Sequence, residues 1–188
     1  MIDRIDGITT AIDAISTRID EELQPPQPTV IRLSSIPGIG TRQAQVILAE
    51  IGTDMARFPT AGHLASWAGM CPGNHESAGK HYGGTTRKGD SWLRGALGEA
   101  AASAARTKNT CLQARYRRLA GRRGKKRALV AVGHSILIAI WHMLSNDIDY
   151  QDLGPDHFRN RVDPAKQASR LVHQLQQLGY QAVLTPVG

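Results

Sequence analysis

Residues Lys125 to Asn146 read as one long helix that is apolar on nearly every face, and such a helix has to be buried. Its apolar stretch, Ala128 to Leu144, is broken by Gly133, His134, Ser135 and His142. It falls short of the ~20 residues that span a bilayer comfortably, so it reads as core and no membrane partner is expected. Aromatic residues make up only 5% of the 188, so this core must be built from Ala, Ile, Leu and Val. That balance favours helices, and the expected fold class is mainly α around one core.

The rest of the chain divides by its punctuation. Ile5, Ile8, Ile12, Ile15 and Ile19 recur at spacings of three and four, a coiled-coil-like stripe. The other faces of that helix carry Asp3, Asp6, Asp13, Asp20, Glu21 and Glu22. The stripe calls for a partner: a second copy, a separate carboxylate-bearing domain, or this chain's own core. Gln24-Pro25-Pro26-Gln27-Pro28 ends the helix as a stiff linker. The expected organisation is an amphipathic helix and linker over 1–28, a helical domain over 29–150, and a tail over 151–188. The tail is expected to hold one helix, opened by Asp163-Pro164 and closed by Gly179. Within 29–150 the helical pattern breaks at Pro37 to Gly40 and at Phe58-Pro59, after which Thr60 can cap a new helix. Met70 to Asp90 is a glycine-rich loop, with a small hairpin expected through Lys80 to Thr86. Ser91 is expected to cap a helix running to about Arg106, and Thr110 another through Leu119.

Charge is unevenly placed. The formal net charge is +7, from 23 Lys and Arg against 16 Asp and Glu, and the sequence pI is about 9.8. Between Lys80 and Arg127 there are 14 basic residues against only Asp90 and Glu99, whereas Met1 to Leu23 has two basic and six acidic ones. A block this one-sided points to a polyanion, nucleic acid first. Cys71 and Cys111 form no C-x-x-C pair, which argues against a disulfide framework and a Cys-rich zinc site. Nothing in Met1 to Leu23 reads as a signal peptide, so a reducing, cytoplasmic location beside DNA is expected.

Ile36-Pro37-Gly38-Ile39-Gly40, followed by Ala44, Ile47 and Leu48, fits the helix-hairpin-helix pattern h-P-G-h-G. Its glycines allow positive φ and close approach, and the second helix offers free N–H groups at its positive end, suited to one phosphate. Gly38, Ile39, Gly40 and Arg42 are therefore candidate nucleic-acid contacts of a kind that positions without reading sequence. An ordinary αα-hairpin would use the same residues for packing alone.

The glycine-rich loop fails two familiar motifs. Gly73 to Gly79 has five intervening residues and Lys80 is followed by His81, so there is no phosphate-binding P-loop. His75 to Gly79 lacks the first glycine of a nucleophile elbow. His63, His75, His81 and Cys71 have no usual metal-ligand spacing, and no metal site is expected in this chain. What remains is Ser77, with Arg87, Lys88 and Arg94 downstream; by residue type alone such a serine is most often a turn or cap residue.

An ordered series of motifs changes that weighting. Leu33, Ile36-Pro37-Gly38-Ile39-Gly40, Phe58, Leu64 to Met70 with Pro72, Ser77-x-Gly79-Lys80, Arg87-Lys88-Gly89-Asp90, Leu93-Arg94, Tyr116 and Lys125 to Ala131 follow one another in order. Over roughly Val30 to Tyr150 the chain resembles the C-terminal domain of the Piv-like transposases of bridge-RNA-guided insertion sequences. The resemblance implies that Ser77 is a catalytic nucleophile attacking a DNA phosphodiester to give a covalent phosphoserine. Arg87, Lys88 and Arg94 would balance the charge of the transition state. Lys80, Arg122, Arg123, Lys125 and Lys126, with the hairpin, would grip DNA or a guide RNA. In the family a preceding nuclease-like domain holds magnesium with acidic residues; this chain is expected to begin after it, so Mg2+ is expected only with that domain. Ala78 stands where glycine commonly follows the serine, and Asp90 where asparagine is common. The rival expectations are a non-catalytic nucleic-acid-binding module and a purely structural helical partner.

Overall fold

The computed structural model describes residues 2–22, 28–71, 76–81, 86, 88–160 and 163–184. In chain order it contains α1 (Ile2–Glu22), α2 (Pro28–Ser34), α3 (Thr41–Ile51), a 3-10 turn (Met55–Arg57) and α4 (Ala61–Trp67). A hairpin follows, of β1 (Glu76–Ser77) and β2 (Lys80–His81), then α5 (Ser91–Ala104) and α6 (Cys111–Arg123). The chain continues through α7 (Lys125–Asn146) and α8 (His157–Asn160) to α9 (Pro164–Gln177). The protein is mainly helical, as its composition requires.

The long apolar helix organises the rest. α7 packs against α6, α5, α4 and the 3-10 turn, burying Val132, Ile136, Leu137 and Ile140 completely. Its flanks, Leu129, Ile138, Trp141 and Leu144, are half-buried against the same core. The whole of α7, unlike its apolar run alone, is long and apolar enough to cross a membrane; here it is the central helix of the core. α5 packs on α7, where Leu97 faces Gly133, and on α3, just before which Gly38 faces Ala100 and Ala104; these two alanines and Ala101 are fully buried. Small side chains there let helices approach closely, which suits a core poor in aromatics.

Caps fix the helix starts. Thr60 accepts from the His63 N–H, Thr110 from Gln113 and Asp163 from Ala165, each opening the helix expected of it. For α5 the expectation is corrected: Asp90, one residue before Ser91, is the cap, its Oδ1 accepting from the Leu93 N–H at 2.6 Å. Most of the hairpin expected through Lys80 to Thr86 lies outside the described residues; the hairpin seen begins earlier. It pairs Glu76 with His81 and Ser77 with Lys80, and its turn is Ala78-Gly79. Both turn residues have positive φ, 49° and 74°, the twist that suits a two-residue hairpin.

Two amphipathic helices pack little on the core. Ile5, Ile8, Ile12 and Ile15 of α1 are each more than half exposed, whereas Ile19 is partly buried beside Val30 and Val46, so among the described residues only the end of the isoleucine stripe is covered. No residue of α9 is buried, and Leu171, Leu175 and Leu178 are exposed. The region after α7 holds two helices where one was expected. Its first part, 147–158, folds back over α6 and α7: Asp152 Oδ1 accepts from the Cys111 N–H at 2.9 Å and the Gly154 N–H at 2.7 Å. Arg32 of α2 reaches the same strap, bonding Asp147 and, at 3.2 Å, Asp149.

Candidate nucleic-acid interface

α3 starts at Gly40 with no side-chain cap, so the N–H groups of its first turn face outward with the positive end of the helix. Gly38 and Gly40 do different work. Gly38 has φ +94° and presses on α5, where a Cβ would stand 2.5 Å from the Ala104 nitrogen. Gly40 has an ordinary φ of −91° and is exposed. Ile39 is buried and its N–H donates to the Ile36 carbonyl at 3.0 Å, so this residue builds the turn from within. Arg42 is exposed, and one guanidinium nitrogen donates to Ser16 Oγ of α1 at 3.0 Å.

The start of α5 separates two shallow grooves. One, about 390 Å³, has Arg42, Gln43 and Val46 of α3 on one wall and Ser91, Trp92 and Glu99 of α5 on the other. The second, about 370 Å³, is lined by Met70, Thr86, Arg94 and by Leu129 and Val130 of α7. Ser91 and Gly95 line both. Arg94 Nη2 donates to Thr86 Oγ1 at 3.2 Å, tying the exit of the glycine-rich loop to α5. Gly89 anchors that exit further, because a Cβ there would lie 2.4 Å from the Ala68 carbonyl.

Ser77 ends β1 immediately before the turn, and the register makes Lys80 its partner across the hairpin. Lys80 and Lys88 are exposed; Arg87 and the loop residues 72–75 and 82–85 lie outside the described residues. Among the described residues no group of three His, Cys, Asp or Glu lies close enough to hold a metal ion, so these residues do not form a magnesium site by themselves.

The strongest concentration of charge is at the α6–α7 corner. Arg122 and Arg123 occupy the last turn of α6, where cations complement the helix dipole. Lys125, Lys126 and Arg127 then occupy the first turn of α7, where cations oppose it. All five are exposed, Gly124 between the helices supplies no side-chain cap, and no acidic residue lies in that turn. A phosphate at this corner would meet free N–H groups, a favourable dipole and five cations at once.

The structure thus brings Arg42 to α5 on one side and Arg94 with the α7 side on the other. Trp92 is a residue that the sequence pattern did not single out. It is 73% exposed on the first turn of α5, with Arg42 on the facing wall of the groove. Its place among basic residues is readable in the sequence, but its exposure depends on which face of α5 turns inward.

Comparisons with known proteins find similarity to transposases and insertion-element proteins. Residues 31–117 match the transposase IS116/IS110/IS902 family. The chain is 31% identical over 124 residues to a protein of Pseudomonas aeruginosa described as a probable family 20 transposase, covering 64% of this chain and 36% of that one. It is 47% identical over 51 residues to the 43.6 kDa protein of insertion element IS110 of Streptomyces coelicolor, covering 27% and 12%. It is 32% identical over 84 residues to the protein named for transposition of the IS117 mini-circle in the same organism, covering 45% and 20%. The chain therefore spans about a third or less of the length of these relatives.

Proposed function

We propose that this chain is the DNA-handling, serine-bearing part of an insertion-sequence transposase of the IS110 type. The match over residues 31–117 carries the reading, because it runs from the Gly38 turn through the Ser77 hairpin to α6. The exposed cations of the α6–α7 corner support it. In this reading duplex DNA, with a guide RNA alongside, lies across the start of α5. The uncapped end of α3 and Arg42 hold one phosphate, and Lys80, Lys88 and Arg94 line the path to the hairpin. Such contacts fix position and carry no sequence code, so recognition is left to base pairing with the RNA.

Ser77 is the nucleophile. Its oxygen bonds to phosphorus as one P–O bond to a sugar breaks, and its proton ends on the leaving sugar oxygen. One phosphodiester is exchanged for another, so strands can be rejoined without a nucleotide cofactor. Arg87, Lys88 and Arg94 offset the charge that grows on the non-bridging oxygens. When bound by carboxylates of a further domain, magnesium would activate the attacking oxygen. The isoleucine stripe of α1 is the surface through which a second copy or that domain joins.

Binding of duplex DNA measured against salt tests the first half. The log of affinity should fall linearly with the log of salt, and Arg122→Ala should reduce the slope by roughly one unit. A flat response would leave only a structural role. The second half needs the carboxylate domain and magnesium supplied: a protein–DNA adduct that survives denaturant should form with the native chain and vanish with Ser77→Ala. Binding without any adduct would leave a non-catalytic module, and an adduct that persists in Ser77→Ala would assign the nucleophile elsewhere.

A further inference from the structure

One cavity of the core lies away from the hairpin. It measures about 740 Å³ and opens between α6, α7 and the strap 147–158. Leu112, Ile136, Tyr150, Leu153 and Phe158 form its apolar part, Asp147, Asp149, His142 and Gln151 line it as well, and Arg115 of α6 stands in it. The Arg115 Nε is buried and has no hydrogen-bond partner. Three of the nearby carboxylates have partners other than Arg115. Asp147 and Asp149 pair with Arg32, and Asp152 accepts from Cys111, Gly154 and Tyr150. A buried N–H without an acceptor is costly, and an anion entering the cavity would supply one.

Further cations lie along α6. Burial, then the charge of Arg118, pushes Arg115 below its ordinary value, and burial with Arg115 does the same to His134. Arg115, Arg118 and Arg122 fall at i, i+3 and i+7, one face of α6, so a row of guanidiniums leads from the exposed corner to the cavity. Arg118 stacks on Phe158 at the cavity wall, 4.4 Å from the ring centroid. A partner that suits both row and cavity carries repeated negative charge and ends in a flat, apolar group.

We infer that this cavity binds one nucleotide, its phosphate on Arg115 and its base against the apolar wall by Tyr150 and Leu153. The nucleotide is either free or the unstacked end of a strand that follows Arg122 and Arg118. The inference rests on the nucleic-acid reading above and adds a second, internal site to it.

The test uses the full chain with adenosine monophosphate, adenosine and a short 5′-phosphorylated single strand as probes. The monophosphate should bind more tightly than adenosine, and Arg115→Met should weaken it by about tenfold or more while leaving adenosine unchanged. Thermal unfolding of ligand-free Arg115→Met should be unchanged or higher, because the variant removes an unpaired buried charge; a purely structural Arg115 would give a lower value. If that variant does not fold, Ala139→Phe, which narrows the cavity and keeps the arginine, should abolish monophosphate binding. Displacement of the monophosphate by the strand identifies a strand end as occupant, and no displacement identifies a free nucleotide; either supports the site. No monophosphate binding, or equal binding by Arg115→Met, overturns it. Salt-dependent duplex binding that needs Arg122 and ignores Arg115 would do so while leaving the proposed function standing.

Discussion

Gly38 lies so close to Ala100 that a Cβ on Gly38 would stand 2.4 Å from the Ala100 carbonyl oxygen. The neighbour is backbone within a buried helix and has no room to give. Gly38→Ala should therefore cost about 3 kcal/mol, combining overpacking with a left-handed φ. Gly40→Ala has an ordinary φ and meets only the tip of Gln43, so its cost should stay under about 1 kcal/mol. Urea unfolding of the two variants checks this, and equal losses would contradict the packing role of Gly38.

Ala78 adopts φ 49° at the hairpin turn, a conformation that costs an L-residue roughly 1–2 kcal/mol. Ala78→Gly should firm the hairpin by about 1 kcal/mol. Slower amide exchange over Lys80–His81 would show it, and faster exchange would mean that the turn is held by other means.

The first turn of α7 sets stability against binding. Lys125→Glu or Lys126→Glu should raise stability by about 0.3–1 kcal/mol, because an acid there complements the helix dipole. The same change should weaken DNA binding and flatten its salt dependence. A variant that loses stability and keeps its affinity would remove the corner from the interface.

His134 gives an acid-side weakness. Burial and the charge of Arg115 lower its pKa from about 6.5, so the unfolded chain takes up a proton that the folded one refuses. Stability should then fall as pH drops from about 6.5 towards the lower folded value. His134→Gln should flatten melting temperature across that window, and an unchanged slope would place the effect elsewhere.

Trp92→Ala should leave the fold intact, since the side chain is largely exposed. It should weaken single-strand binding by about 1–3 kcal/mol if bases stack in the groove beside Arg42. The intrinsic fluorescence of a Trp67→Phe, Trp141→Phe background would report the contact as quenching.

Local chemistry is readable in the sequence wherever one residue settles the matter. Thr60, Thr110 and Asp163 cap the helices their side chains suit, and the limits of α7 follow from its apolar run. Ser91 does not cap α5 because Asp90 caps equally well and only the backbone path past Ala68 decides between them. The Ala78-Gly79 turn is hard to foresee: Gly83-Gly84 looks like the better turn by composition, and an alanine in a left-handed conformation is not written in its residue type. The cavity is invisible in the sequence for another reason. Arg115 looks like one more surface cation of α6 until the strap, about 30 or more residues later, folds over it.

The bond from Arg32 to Asp147 joins residues 115 positions apart, at the two ends of the packed core. The helical core therefore begins and finishes side by side, and whatever precedes α2 or follows α7 leaves from the same neighbourhood. A unit of this geometry behaves as a plug-in cassette: it can be spliced into a larger host by two adjacent seams without being opened.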